Sequence, residues 1–302
     1  EFQIIQSLNH PNILPVLDYN EDNNIYLHYG NPNVSASTEN PAGVWDADFV
    51  SVYHLSHTSG DAVDSIGNFT AEEYFDPDSN MDQTGIAGGA DYFDGSDYLG
   101  TNPEWAVTGA HSYCAWVKFS TTGSNMVILE DGGTTHGDGL GITSAGNFRY
   151  GAYWNSTKYN ADSSSTYADG QWHYVCGVKE GDSPYNMHIY VDGGTPVMIA
   201  GANYDPGTND ARIGAYNGTD PVFNGGANLT GYLDEIRISN TARDACWIGT
   251  EYSNQKTDST LVSVDPEESW TFDHYKTITI DKDYVGADCS QDLTDFPVMI
   301  KI

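Results

Sequence analysis

The chain has 302 residues and sets 11 Lys+Arg against 43 Asp+Glu, a formal charge of −32. So acidic a chain repels polyphosphate and anionic lipid headgroups, which makes nucleic acid and anionic membrane poor partners. No apolar run approaches the roughly 20 residues that span a bilayer.

In chain order, residues 1–22 carry little pattern, and the start at Glu1 is what removal of a targeting segment would leave. The string NIYLHYGNP (Asn24–Pro32) then places one strand at Ile25–Tyr29, before a loop with Pro32, Pro41 and Gly43. From Val44 onward, alternation of apolar and polar residues predicts strands at Phe49–Leu55, Ser112–Ser120, Met126–Glu130, Trp172–Lys179, Met187–Val191, Pro196–Ala200 and Tyr232–Ser239. Asp192-Gly193-Gly194 sits between two of these runs and predicts a hairpin turn. One stretch, Thr241–Asn254, invites a helix behind Asn240 as its N-cap. Two further strands are expected beyond Pro266, at Tyr275–Asp281 and Phe296–Ile302. The class is all-β, a sandwich with long connections, in three zones: 1–43, 44–265 and 266–302.

Composition adds the setting. With 32 Gly, 21 Tyr and few Lys, the chain reads as turn-rich β structure with long surface loops. Its self-repulsion is tolerable at high salt or with bound cations, which makes calcium the expected ion outside cells. Asn-x-Ser/Thr sequons at Asn33, Asn68, Asn155, Asn217 and Asn228 fit a secreted, glycosylated surface. The four cysteines lack any CxxC spacing, which sets aside zinc and thiol redox chemistry. They are either buried thiols or, in an oxidising compartment, disulfides. The expected pairing is Cys114–Cys176 across a sheet, each Cys on a strand face shared with a Trp. Cys246 and Cys289 then link the main domain to the C-terminal segment or to another subunit.

A family resemblance follows from a succession of short motifs: VWD at Val44, VYHL at Val52, DSIGN at Asp64, FDGSDYL at Phe93, AWV at Ala115, QWHYV at Gln171, IYVDG at Ile189, RIG at Arg212 and GYLDEIRISN at Gly231. Singly they are weak. In this order over some two hundred residues they resemble the laminin G-like, concanavalin A-like jelly roll. The flanks resemble a small β domain of unassigned function that accompanies such jelly rolls in bacterial and archaeal surface proteins. Ile25–Pro32 is similar to its end and Tyr275–Ile302 to its beginning. The fold expected is therefore a concanavalin A-like jelly-roll β-sandwich with additional terminal strands. Trp116 and Trp172 are expected to pack between its two sheets.

The resemblance also implies a structural calcium near the strand ends, with Asp64 and Asp234 at the matching positions. Asp94 and Asp97 form a second acidic group, and Asp76–Asp82 (DPDSNMD) a third. The third resembles the front of an EF-hand but lacks its Gly and Glu. A solvated acidic loop is the alternative for each. His54 and His57, three apart at a strand end, do not form a metal pair. Catalysis is not expected: no run of alternating carboxylates, nucleophile elbow or phosphate loop is present. Tyr150, Tyr153, Trp154 and Tyr159 crowd one region beside Asn155, as sugar-binding rings would, or as packing rings would. Two functions are therefore expected. The first is an extracellular structural subunit whose terminal strands complete those of the next copy head to tail. The second is a carbohydrate-binding or adhesion domain of a long surface protein.

Overall fold

The computed structural model describes residues 13–19, 24–29, 43–74, 80–101, 105, 107, 109–132, 136–154, 156–181, 184–202, 211–216, 223, 226–266, 268–270, 273–281, 284–285, 289, 293 and 296–300. In chain order the strands are β1 (Ile13–Tyr19), β2 (Asn24–Tyr29), β3 (Phe49–Tyr53), β4 (Glu72–Tyr74), β5 (Gln83–Thr84), β6 (Gly89–Asp94), β7 (Tyr98–Thr101), β8 (His111–Lys118), β9 (Met126–Gly132) and β10 (His136–Ile142). They continue with β11 (Asn147–Trp154), β12 (Thr157–Thr166), β13 (Trp172–Glu180), β14 (Tyr185–Val191), β15 (Val197–Ala202), β16 (Ala211–Ile213) and β17 (Thr230–Ser239). Helix α1 (Ala245–Gln255) precedes β18 (Val262–Val264), β19 (Glu268–Trp270) and β20 (Asp273–Ile280).

Two compact units divide the chain, Asp48–Asp244, and Glu1–Ala47 together with Ala245–Ile302. The first is a sandwich of a seven-stranded sheet, β12-β11-β10-β9-β16-β7-β4, and an eight-stranded sheet built on β15-β14-β13-β8-β17-β6-β5. Every pairing between the named strands of these two sheets is antiparallel. Strand alternation decides what the core contains. From β8, Tyr113, Ala115 and Val117 face it; from β11, Phe148, Tyr150 and Ala152; from β17, Leu233, Ile236 and Ile238. Trp116 is buried but carries the opposite parity, pairing with Tyr174 at 5.3 Å between ring centroids. The expected position of Trp116 and Trp172 between the sheets is corrected accordingly, because a period of two sends 113, 115 and 117 inward and 116 outward.

The turn after β14 follows from its residues. Asp192 and Gly193 both take positive φ, 52° and 65°, and Gly194 N donates to Val191 O at 3.0 Å, the hairpin geometry that Asp-Gly favours. The Asp192 carboxylate ties the turn to β13, accepting from Tyr174 N at 2.9 Å and meeting His173 Nδ1 at 2.8 Å. Burial alone would lower the His173 pKa, but hydrogen bonds and charge from Asp192 and Asp169 outweigh it and raise the pKa above its ordinary value. A raised folded pKa stabilises the fold below the unfolded value near 6.5, and that contribution is lost as pH rises through the folded value. We expect unfolding monitored across pH 5–8 to show this loss, about 0.5–1 kcal/mol after solvent screening, and His173→Gln to flatten it.

The second unit joins both flanks in one sheet, β1-β2-β20-β18, with β19 also on β20. β2 and β20 pair antiparallel from Asn24↔Thr279 to Tyr29↔His274. Helix α1 belongs to this unit, where Cys246 bonds to Cys289 and Trp247 meets Phe296 at 4.9 Å. Its N-terminus starts after the expected one. The strand expected at Phe296–Ile302 is not formed over 296–300. Instead, Asn254 of α1 takes up the Met299 backbone, accepting from N at 2.6 Å and donating to O at 3.0 Å. A side-chain amide here replaces the ladder partner that the apolar run suggested. No helix among the described residues is long and apolar enough to cross a membrane.

Candidate functional site

The face of the seven-stranded sheet turned away from the core carries a continuous row. It runs Asn160, Gly151, Gly139, Glu130, Arg212, Gly100, Glu72, one residue from each of β12, β11, β10, β9, β16, β7 and β4. The neighbouring core-facing row holds Tyr150, Leu140, Leu129, Ile213 and Leu99, so parity places this one on the outer side. Glycine at every second position of β10 (Gly137, Gly139, Gly141) leaves the outer face of that strand without side chains. The Phe223 ring occupies the space a Cβ on Gly141 would need.

Around this floor stand rings and hydrogen-bonding groups. Tyr153 and Tyr216 are half-buried and pack on Val127 and Phe223. Lys158 Nζ lies 6.0 Å from the Tyr153 ring. Arg149 makes a two-pronged pair with Asp162, Nε–Oδ1 2.6 Å and Nη2–Oδ2 2.7 Å. Arg212 donates to Tyr216 O at 3.1 Å and lies 4.8 Å from the Tyr98 ring. Tyr98 stacks on Tyr74 at 4.3 Å and 9°, and Tyr74 is 47% exposed. Asn160 Oδ1 accepts no hydrogen bond from the described residues. Flat apolar faces beside amides and held guanidinium–carboxylate pairs suit a ring with polar edges.

Of the aromatic residues expected at a ligand, Tyr153 alone joins this face. Trp154 has core-side parity and meets His136 at 4.5 Å at the sheet's end, and Tyr159 packs against the core. Tyr150 is fully buried, its hydroxyl 2.6 Å from Asp138 Oδ2, and burial raises its pKa far above the ordinary tyrosine value. Tyr74, Tyr98, Arg149, Asn160 and Arg212 escaped the sequence reading; the glycine alternation of HGDGLGI opposite RYGAYW was the available signal.

A second aromatic row crosses the outer face of the other sheet: Tyr92, Tyr232, Lys118 and Trp172, on β6, β17, β8 and β13. Here Lys118 Nζ sits 4.3 Å from the Tyr232 ring and 5.5 Å from Trp172, so the rings already have a cation against them.

The acidic residues expected to bind calcium do not assemble. The Asp64 carboxylate is buried and accepts from four backbone amides: Val52 N at 2.8 Å and Ile66 N, Asn68 N and Phe69 N at 3.0 Å each. Asp94 Oδ1 accepts from Ser96 N and Oγ, bonds that hold its pKa below the ordinary value. Asp97 Oδ2 accepts from Asp94 N and Asn80 Nδ2. Asp234 Oδ2 accepts from Ile86 N at 2.6 Å and Ala87 N at 3.1 Å, while burial first, and then the adjacent Glu235 charge, pushes its pKa up to about 7. Among the described residues no three Asp or Glu side chains bring oxygens within 4.8 Å of one another. Asp64, Asp94 and Asp234 sit on separate backbone clamps and their oxygens do not come together, while the buried Oδ1 of Asp234 has no hydrogen-bond partner among the described residues. Asp76–Ser79 lie outside the described residues.

Both disulfides form, Cys114–Cys176 between facing residues of β8 and β13, and Cys246–Cys289. Glu235 pairs with His54 and with Arg237 at 2.7 Å; burial alone would raise its pKa, but these partners hold it well below the ordinary range. Asn68 is exposed, although its Nδ2 donates to Val50 O at 3.3 Å, and Asn228 is half-buried. Asn33, Asn155 and Asn217 lie outside the described residues.

The chain belongs to the concanavalin A-like lectin/glucanases superfamily, whose laminin G-like model matches residues 88–249, more than half of its length. Among solved structures, the binding domain of Paraclostridial Mosquitocidal Protein 1 is similar with a TM-score of 0.53 at 9% identity, over 68% of this chain and 52% of that one. The botulinum neurotoxin serotype D binding domain gives 0.51 at 14%, over 69% and 52%. Domain 4 of a GH43 extracellular arabinanase from Geobacillus stearothermophilus, solved with arabinotriose, gives 0.49 at 20%, over 67% and 96%. The chain thus spans about half the length of the two toxin binding domains. No curated protein matches the sequence.

Proposed function

We propose that the chain is a non-catalytic carbohydrate-binding module of a secreted or surface protein, and that it holds its glycan on the outer face of the seven-stranded sheet. The observation that carries this reading is the glycine floor of β10 and β11 flanked by Tyr153, Tyr216 and the Tyr98–Tyr74 stack, with Asn160, Arg149–Asp162 and Arg212 supplying hydrogen bonds. A sugar ring offers apolar C–H faces to tyrosine and hydroxyl edges to amide and guanidinium, so both halves of the site are used. Membership of a superfamily described by lectins and glucanases supports it, and the two disulfides fit an oxidising compartment.

Screening the chain on immobilised neutral and acidic oligosaccharides, followed by calorimetry on the strongest binder, tests the reading. Tyr153→Ala is expected to weaken binding about tenfold, the equivalent of one stacked ring. Trp172→Ala, on the opposite sheet, is expected to leave it within about twofold. Silence across the glycans, or equal loss in both variants, counts against the site.

A second reading, a structural subunit assembling head to tail, is favoured by the β2–β20 pairing, which joins strands from the two flanks. The same ladder is available between copies of the chain. Light scattering behind size exclusion decides: concentration-dependent multimers support assembly, and a monomer at all concentrations rejects it.

A further inference from the structure

We propose that His57 and Asp91 share a single proton, and that this buried pair is a pH-sensitive clasp fastening the segment after β3 to β6. Asp91 is fully buried on the core-facing side of β6, opposite Leu233. Its Oδ1 accepts from Asp82 N at 3.3 Å, whereas its buried Oδ2 has no hydrogen-bond partner among the described residues. That oxygen faces His57 Nε2, 3.8 Å away, which is likewise buried and without such a partner. The two segments meet closely, since a Cβ on Gly89 of β6 would stand 2.7 Å from Ser56 Cα.

The proton count follows from this geometry. With no proton on the pair, two acceptors face each other in the interior; with two protons, two donors do, and orphaned buried groups are costly. One proton makes one group the donor and the other its acceptor. The separation exceeds an ordinary hydrogen bond by about 0.8 Å, which a small turn of the His57 ring closes. Burial pushes the Asp91 pKa up to about 8, against the Asp82 amide and together with the charges of Asp234, Asp82 and Glu73. Burial also lowers the His57 pKa, despite the charges of Asp61 and Asp82. The shared form is therefore a neutral carboxylic acid facing a neutral imidazole. The other charged groups of β17 and of the segment after β3, namely Glu235, Arg237 and His54, are engaged with one another.

The sign of the pH dependence identifies the pair. Unfolded, it holds one proton, on the imidazole, from about pH 3.9 to about 6.5 and none above. Folded, it keeps one up to about 8. Only between these upper limits does the folded state bind the extra proton, so stability is lost as pH rises from 6.5 to 8. Denaturant unfolding of the chain, Asp91→Asn and His57→Gln from pH 5 to 9 tests this, and the comparison cancels the remaining titrating groups. Across pH 6.5–8 the unfolding constant of the unsubstituted chain is expected to rise about thirtyfold relative to that of Asp91→Asn, which has no carboxyl proton to lose. His57→Gln is expected to begin losing stability well below pH 6.5, because a lone buried acid keeps its proton while the unfolded one ionises near about 3.9. Nitrogen NMR of the unsubstituted chain keeps the test alive should either variant fail to fold; a neutral His57 ring with its proton on Nδ1 is expected between pH 6.5 and 8. Parallel pH profiles in the unsubstituted chain and Asp91→Asn, an unmoved onset in His57→Gln, or a His57 ring protonated on Nε2 in that range overturns the clasp.

Discussion

Replacing Cys114 and Cys176 together by alanine is expected to lower the stability of the sandwich by about 4 kcal/mol, a fall of about 10 °C in melting temperature. The two residues face each other across β8 and β13 and are separated by 62 positions in sequence. Closing so long a loop removes much of the unfolded chain's freedom, and that freedom returns when the bond is lost. Both positions are buried, so alanine avoids leaving an orphaned polar atom behind. Thermal unfolding of the double variant checks the magnitude. An unchanged melting temperature would mean that the bond does not constrain the unfolded chain.

Asp64→Ala is expected to cost about 3–5 kcal/mol, at the upper end for a single substitution. One carboxylate satisfies four backbone amides, from β3 and from the turn at Ile66–Phe69. Hydrogen bonds to a charged acceptor are among the stronger ones, and amides left without a partner add a desolvation cost. Asp64→Asn keeps the shape but not the charge, and is expected to lose about half as much. Added calcium is expected to leave the stability of the unsubstituted chain unchanged, because the Asp64 oxygens are already committed to nitrogen donors. Chemical denaturation with and without calcium measures both claims, and a calcium-dependent stabilisation of the unsubstituted chain that both variants lose would restore Asp64 as a metal ligand.

What could be read from the sequence divides along one physical line. Strands with apolar–polar alternation were legible: β8, β13, β14 and β17 lie within a few residues of their expected positions, as does the Asp192-Gly193 turn. The cross-strand disulfide followed from the same parity. The strands that build the candidate site were not legible. β10 is HGDGLGI, and β12 is TKYNADSSST; glycine and polar residues there erase the alternation that marks a half-buried strand. The absence of side chains on the outer face of β10 is the feature that shapes the floor, so the site was hidden by the property that defines it. The acidic clusters were ambiguous for a different reason. A carboxylate in a loop looks the same in sequence whether it binds calcium or clamps amides, and only the backbone geometry around Asp64 and Asp94 separates the two. Phe296–Ile302 reads as a strand, yet Asn254, more than forty positions upstream, takes over its backbone at Met299.

The outer face of the seven-stranded sheet is tested most directly by hydrogen exchange of the chain with and without the oligosaccharide that binds it best. Protection is expected over β10, β11 and β12 and around Arg212, with β6, β8 and β13 unchanged. Protection centred on Trp172 and Tyr232 instead, or none at saturating ligand, would contradict a glycan site on the glycine floor.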